Sequence, residues 1–564
     1  MKKLRWQLIV VVLALGAIGL LLISQQQGSI SGVDLADQPT TGGIYAEALV
    51  GSFGRLNPVL DYYNPADYDV DRLIYSSLVR FDARGLPYGD LAETWGISQD
   101  VKVYNFSIRA DAAWHDGQPL TSDDIIYTVE LLRSEDLPLP QDLREFWQQV
   151  EVLALDEKTI QFRLPEPFSP FLDYLTFGVL PKHLLGKLSP AEVVNAGFNL
   201  APVGSGPYRF EGLDVQDDRI RAVVLVANEN YYGRKPFIEK MIFRYYPDEQ
   251  AALAAYRAGE VLGINQVGPA TLPEALKEEK LGLFTGRAPR LAMVYLNLDD
   301  PQLPFFQDAN VRRGLMMSLN RRWIIDRLLG GQAMLANGPI FPENWAHYDG
   351  VPQIEYDPDA AVELFKKAEF TIPAEGGNVR ARENVKLAFQ LAYPDGELYK
   401  QIAERIQQDW ANVGVQVGLK AVPYEELVLD YLEPRSYQAA LVELDFTRSP
   451  DPDPYPFWHQ AQITSGQNYA QWDDRQVSEY LEQARVLSDV TERQRRYRNF
   501  QIRFAAELPA LPLFYPVYSY AVDGSVRGVS MGPLYDPSDR FNNVTGWYLR
   551  TSSIASAADP TPTP

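Results

Sequence analysis

A strand, helix, strand segment on either side of residue 400 constrains this chain more than any other feature. Val385, Leu387, Phe389 and Leu391 alternate at the two-residue period of a strand. Leu398, Ile402, Ile406, Trp410 and Val413 then fall along one helix face, and Gly414 supplies the stop. Val415, Val417 and Leu419 resume the alternation. Two strands joined through a helix within about forty residues form a βαβ unit, because parallel strands need a crossover of that kind. The chain therefore contains an α/β domain. Just upstream, Asp357-Pro358 reads as an N-cap with proline at the first helical position, and Ala361, Leu364, Phe365 and Ala368 form the apolar face.

A second helix start follows Thr121-Ser122-Asp123-Asp124, with Ile125, Ile126, Val129 and Leu132 as its apolar residues. Thr121 caps, and the acidic residues of the first turn meet the helix dipole. Before it, Tyr104, Phe106 and Ile108 alternate as a strand and Trp114-His115-Asp116-Gly117 makes a turn. No repeat period emerges. With 564 residues, the chain has room for roughly three or four domains, and a mixed α/β protein with several lobes is expected. Lys and Arg number 52 and Asp and Glu 74, a net charge of −22 that repels phosphate backbones and excludes nucleic acid as a partner. The chain has no cysteine, which removes disulfides, thiol nucleophiles and lipid attachment through Cys.

The two ends read differently from the middle. Basic residues precede an apolar run from Leu8 to Ile23, 16 residues or about 24 Å of helix. Ser24-Gln25-Gln26-Gln27 follows in place of a small-residue cleavage site, so residues 1–23 are expected to form a transmembrane signal anchor rather than a cleaved signal peptide. Residues 24–42 read as a linker. Residues 551–564, rich in Ser, Ala, Pro and Thr, read as a disordered tail.

Catalytic signatures are missing from the sequence. His115, His183, His347 and His459 are widely separated, and there is no HExxH pair, Walker A loop, nucleophile elbow or GxGxxG after a strand. Gly204-Ser205-Gly206-Pro207 is a glycine turn, because Pro207 would break the helix that a nucleophile elbow requires. No metal, no cofactor and no enzymatic activity is expected.

Several segments together resemble the bacterial extracellular solute-binding proteins of family 5, the peptide-binding components of ABC importers. They are Leu56-Asn57-Pro58, Leu78-Val79-Arg80-Phe81-Asp82, Leu91-Ala92-Glu93-Thr94-Trp95 and the block from Trp114-His115-Asp116-Gly117 to Asp124. Pro202 to Tyr208, Val311-Arg312-Arg313 to Asn320-Arg321 (Asn320 standing where the family usually has Asp) and Asn468-Tyr469 follow in the same order. The resemblance covers about residues 43–525. It implies a two-lobed periplasmic-binding-protein fold (type II, cluster C-like) with an inserted domain: lobe I from 43–60, 204–285 and 505–550, the inserted domain at 61–203, and lobe II at 286–504. It also implies hinge closure.

The resemblance further implies an Asp that pairs with a ligand's free amine after a strand of the second lobe. Asp451, Asp453 and Asp445 are its counterparts, ranked in that order, and one alignment brings Arg448 near the position. Trp458 and Tyr469 are expected to pack the ligand, and residues near Tyr45 to form the opposite wall. The implied function is capture of a peptide-like solute and its delivery to an ABC permease at the extracytoplasmic face of the membrane, by a monomer. The alternatives are a receptor for an oligosaccharide, an opine or a metal chelate, and a membrane-tethered sensor.

Overall fold

The computed structural model describes residues 39–550, so the expected anchor, nearly all of the linker and the tail lie outside the described residues. Among the described residues no helix is long and apolar enough to cross a membrane.

The βαβ unit forms. Strand Ala388–Pro394 pairs in parallel with Gln416–Val422, and helix Glu397–Asn412 crosses between them. Ile402, Ile406 and Trp410 are buried. Trp410 is fully enclosed and its indole N–H donates to the Leu315 carbonyl at 3.0 Å, so truncation to Ala would cost about 3–5 kcal/mol. The first expected strand residue is displaced. Val385–Lys386 pairs with Ala381–Arg382 in a separate hairpin, because Glu383 takes a left-handed φ of 54° and turns the chain back. The helix starts also hold. Thr121 and Asp124 form a capping box on Ser122–Leu132, and Asp357 accepts the Ala360 N–H at 2.9 Å.

Most strands belong to one continuous sheet. Its order is Gln416–Val422, Ala388–Pro394, Ala439–Asp445, Arg290–Leu296, Ala510–Asp523, Gly263–Ile264, Ile44–Val50, Lys240–Tyr246, Arg219–Ala227 and Tyr208–Gln216. The long strand Ala510–Asp523 serves both halves. Its residues up to Phe514 pair with Ala292–Tyr295 in the second lobe, and Val517–Asp523 pairs with Leu281–Arg287 in the first. The chain thus crosses between lobes at residues 287–290 and again near Pro516. A separate four-stranded antiparallel sheet, Ala92–Ile97, Val103–Ile108, Thr159–Arg163 and Glu151–Asp156, stands within residues 61–203. This is an α/β two-lobed periplasmic-binding-protein fold.

The Trp114–Gly117 turn ties the segment bearing this sheet to the glycine turn at Gly204–Gly206. Gly117 has a φ of +88°, which suits glycine. The His115 Nδ1 accepts the Gly204 N–H and its Nε2 faces the Gly206 carbonyl, each at 3.1 Å. Burial lowers the His115 pKa to about 4, so the ring is neutral and Nε2–H donates. Gly204 and Gly206 lie against the last turn of helix Pro65–Ile74. A Cβ at Gly204 would stand 2.0 Å from the Ile74 carbonyl oxygen, so no side chain fits.

Candidate functional site

Four sequence-remote segments meet in a buried charge network. Tyr45 and Glu47 point to the same face of strand Ile44–Val50 because they are two residues apart. The Tyr45 hydroxyl donates to Glu47 Oε2 at 2.7 Å and the Tyr520 hydroxyl donates to the same oxygen at 2.6 Å. Arg540 bridges Glu47 Oε1 and the Asp69 carboxylate, with contacts of 2.7 Å to each. The guanidinium of Arg540 is wholly buried and lies over the Phe541 ring.

The loop after strand Ala439–Asp445 reaches from the second lobe to Tyr62, Tyr68 and Asp536. Asp445 Oδ1 accepts the Thr447 N–H at 2.8 Å, an Asx turn that reverses the chain. Arg448 then adopts a left-handed φ of 65°, and its N–H donates to the Tyr535 carbonyl at 2.7 Å. Its guanidinium lies 3.7 Å over the Tyr68 ring and 5.2 Å over the Tyr62 ring, and its Nε reaches Asp536 Oδ2 at 3.2 Å. Tyr62 and Tyr63 are exposed and meet edge to face. On the second-lobe side, Arg290 lies 3.4 Å from Glu443 and 3.7 Å from Asp445, with Tyr424 exposed nearby.

Beside Tyr68, Asp61 and Asp71 line a cavity of about 20 Å³ together with Tyr75, Ser77, Thr176 and Arg72. No N–H or O–H donor meets hydrogen-bond geometry at any of their four oxygens. Burial, only partly opposed by Arg448, pushes Asp61 up to about 7. Burial and then the Asp61 charge raise Asp71 well above the usual carboxylate range.

The expected ligand residues are placed differently from one another. Asp451 is bound in bidentate fashion by Arg493, with contacts of 2.6 and 2.8 Å, and its N–H donates to the Asp173 carboxylate. Asp453 is held by Arg485 at 2.7 and 3.0 Å. Both carboxylates are therefore already neutralised by arginines of the same lobe, and neither is a free partner for an ammonium group. Trp458 packs against Phe504 and Tyr295 in the second-lobe core. Tyr469 is also in that core, under Arg435, with its carbonyl accepting the Tyr437 hydroxyl. Tyr45 is fully buried and faces Glu47 and Trp547 rather than the space between the lobes. These three aromatic residues are corrected to core positions. Asp445 alone of the set keeps an accessible side chain, 54% exposed.

Arg485 and Arg493 were missed. A signal for Arg493 exists in the sequence: it shares a helix face with Tyr497, Phe500 and Phe504, and a buried arginine among apolar neighbours demands a carboxylate. Arg540 offers no such pattern in its short segment.

A larger cavity, about 550 Å³, opens at the far end of the second lobe, lined by residues that include Asn297, Gln390, Arg435, Gln438 and Gln471. Several of its amides are already engaged: the Gln438 side chain accepts the Gln390 backbone N–H at 2.6 Å, Asn297 donates to the Tyr437 carbonyl at 2.8 Å, and Gln471 donates to Asn297 Oδ1. The interlobe face, with its exposed tyrosines and an arginine held across the gap, is the stronger candidate. Among the described residues no group of three or more His, Cys, Asp or Glu side chains is arranged to hold a metal.

Comparison with known proteins agrees with this architecture. The oligopeptide-binding protein AppA of Bacillus subtilis is 26% identical over 528 residues, covering 91% of this chain and 93% of that one. The dipeptide-binding protein of Escherichia coli is 27% identical over 546 residues, covering 91% and 97%. Among solved structures, the unliganded open form of the periplasmic murein tripeptide binding protein MppA superposes with a TM-score of 0.77 at 20% identity, covering 93% of this chain and 99% of that one. The model of the bacterial extracellular solute-binding proteins, family 5 (middle), matches residues 87–466. Two lobes joined by paired crossings, and a family match over two thirds of the sequence, lead to one conclusion: this chain belongs to the bacterial extracellular solute-binding proteins of family 5.

Proposed function

We propose that this chain is the extracytoplasmic substrate-binding component of an ABC importer, which captures a peptide-like solute between its lobes and delivers it to a membrane permease. The observation that carries the reading is the two-crossing connection at residues 287–290 and Pro516, which lets the lobes close as bodies over the face bearing Tyr62, Tyr63 and Arg448. The relatives named for oligopeptide and dipeptide binding, each aligned over more than nine tenths of its length, support a peptide-like solute.

In this reading the first lobe comprises 43–60, 204–285 and the C-terminal return, residues 61–203 are an inserted domain, and 286–504 is the second lobe. The apolar run Leu8–Ile23 tethers a monomer to the membrane beside its permease.

Native mass spectrometry of protein purified from its own host tests the proposal. A co-purified peptide supports it, and a co-purified sugar or chelate replaces the peptide with that solute. Small-angle scattering is expected to show compaction when the solute is restored. An unchanged radius of gyration with a bound solute would rule out lobe closure.

A further inference from the structure

Three charged residues stand on the loop between strand Ala439–Asp445 and the short helix Tyr455–Trp458, a fourth, Asp445, ends the strand, and the four differ in how fully they are partnered. Asp451 and Asp453 are each clamped by an arginine, and Asp445 has Arg290 at 3.7 Å. Arg448 gives only Nε to Asp536, at 3.2 Å. Its two terminal nitrogens make no hydrogen bond within the described residues, and the side chain is a quarter exposed (25%).

The geometry around Arg448 holds that free edge in a fixed orientation. Tyr68 supports one face of the guanidinium plane at 3.7 Å, and the Nε contact fixes its rotation. The backbone beneath is in a left-handed conformation that a residue with a side chain adopts at a cost, and strain of this kind concentrates at ligand clamps. A planar fork with two parallel N–H groups matches a carboxylate. Asp536 gives Oδ2 to Nε and Oδ1 to the Ser538 N–H, which leaves the two terminal nitrogens of Arg448 open to a further carboxylate. Exposed Tyr62 and Tyr63 form a wall beside the fork for the body of a ligand.

We propose that Arg448 anchors a carboxylate of the solute, so that the second-lobe loop receives an anionic group rather than an ammonium. This rests on the solute-binding reading above and names the chemistry that the site selects.

The test uses the full chain and a mixed tetrapeptide pool prepared in four forms: unmodified, N-acetylated, C-amidated and doubly blocked. A fifth pool carries a C-terminal amide and one Glu side chain. Peptides retained through gel filtration are read by mass spectrometry, and affinities are measured by calorimetry. N-acetylation is expected to leave binding intact, and C-amidation to weaken it by about thirtyfold. Retention of the Glu-bearing amide would assign the carboxylate to a side chain, and its loss to the C-terminus. Arg448→Gln should abolish the penalty for amidation and Arg448→Lys should restore part of it, with melting temperatures confirming that both variants fold.

Retention that follows the free amine, or that ignores both ends, overturns the inference while leaving the peptide reading intact. An amidation penalty that persists in Arg448→Gln also overturns it and makes Arg448 a clasp between lobe and inserted unit. If no form is retained, the peptide reading falls and this inference falls with it.

Discussion

Arg540 and Arg448 both face carboxylates near the C-terminal segment, in surroundings that differ in one respect. Arg540 makes five hydrogen bonds, to Glu47, Asp69 and the Pro537 carbonyl, matching the five N–H groups of a guanidinium. The other oxygen of Glu47 is taken by two tyrosine hydroxyls. Arg448 makes one side-chain hydrogen bond and leaves its outer edge free. A buried charge with every donor satisfied locks segments together and has nothing left to offer a ligand. A charge supported from behind and open in front is architecture on one side and recognition on the other.

The largest effect is expected where the network is closed. Arg540→Met strands two buried carboxylates, and urea unfolding should show a loss of about 3–5 kcal/mol. Adding Glu47→Gln and Asp69→Asn should recover much of it, since the cost lies in uncompensated charge. If Arg540→Met is silent, the contrast between the two arginines collapses.

Asp451→Asn comes next. Arg493 would keep a hydrogen-bonding partner but lose its counter-charge, for a cost of about 2–3 kcal/mol in the same assay. Calorimetry should find solute affinity unchanged. A large loss of affinity with full stability would return Asp451 to the ligand, as the sequence alone suggested.

A smaller effect depends on pH. The Asp61 carboxyl is raised by burial to about 7, above its value in the unfolded chain, so its contribution to stability is present in full below about pH 4 and is lost as pH rises through 7. Asp61→Asn should therefore flatten the fall in melting temperature between pH 5 and pH 8 and stabilise the protein by about 1–2 kcal/mol at pH 8. An unchanged slope would mean that the Asp61 and Asp71 pair is solvated.

Arg448→Gln is expected to move stability least, by under about 1 kcal/mol, because a partly exposed single contact contributes little. A loss comparable to that of Arg540→Met would place both arginines in one structural class.

Legibility followed the distance between interacting residues. The capping box at Thr121 and Asp124, the helix face of Ile402, Ile406 and Trp410, and the turn at Trp114–Gly117 all depend on neighbours a few residues apart, and all were readable. The strand begins later than the alternation suggests because the ladder breaks at Leu387, where Val385–Lys386 pairs back on Ala381–Arg382 and Ala388–Pro394 pairs with Gln416–Val422, while the alternation runs straight across that break. The candidate site was readable only as a segment. Residues 445–453 are legible as a charged segment matching the one that the resemblance assigns to the ligand, but nothing in them shows that Asp453 and Asp451 are held by Arg485 and Arg493, 32 and 42 positions away.

The sequence by itself determined the α/β class, the family and the loop to inspect, because periodicity, caps and turns are encoded by residues in covalent proximity. Only the tertiary structure decided which charges are spent and which are free. With 74 acidic and 52 basic residues, local sequence cannot rank the possible pairings, and Glu47 finds Arg540 across 493 positions. What selects a pair is approach in space and the removal of water around it, and both appear only once the lobes have folded.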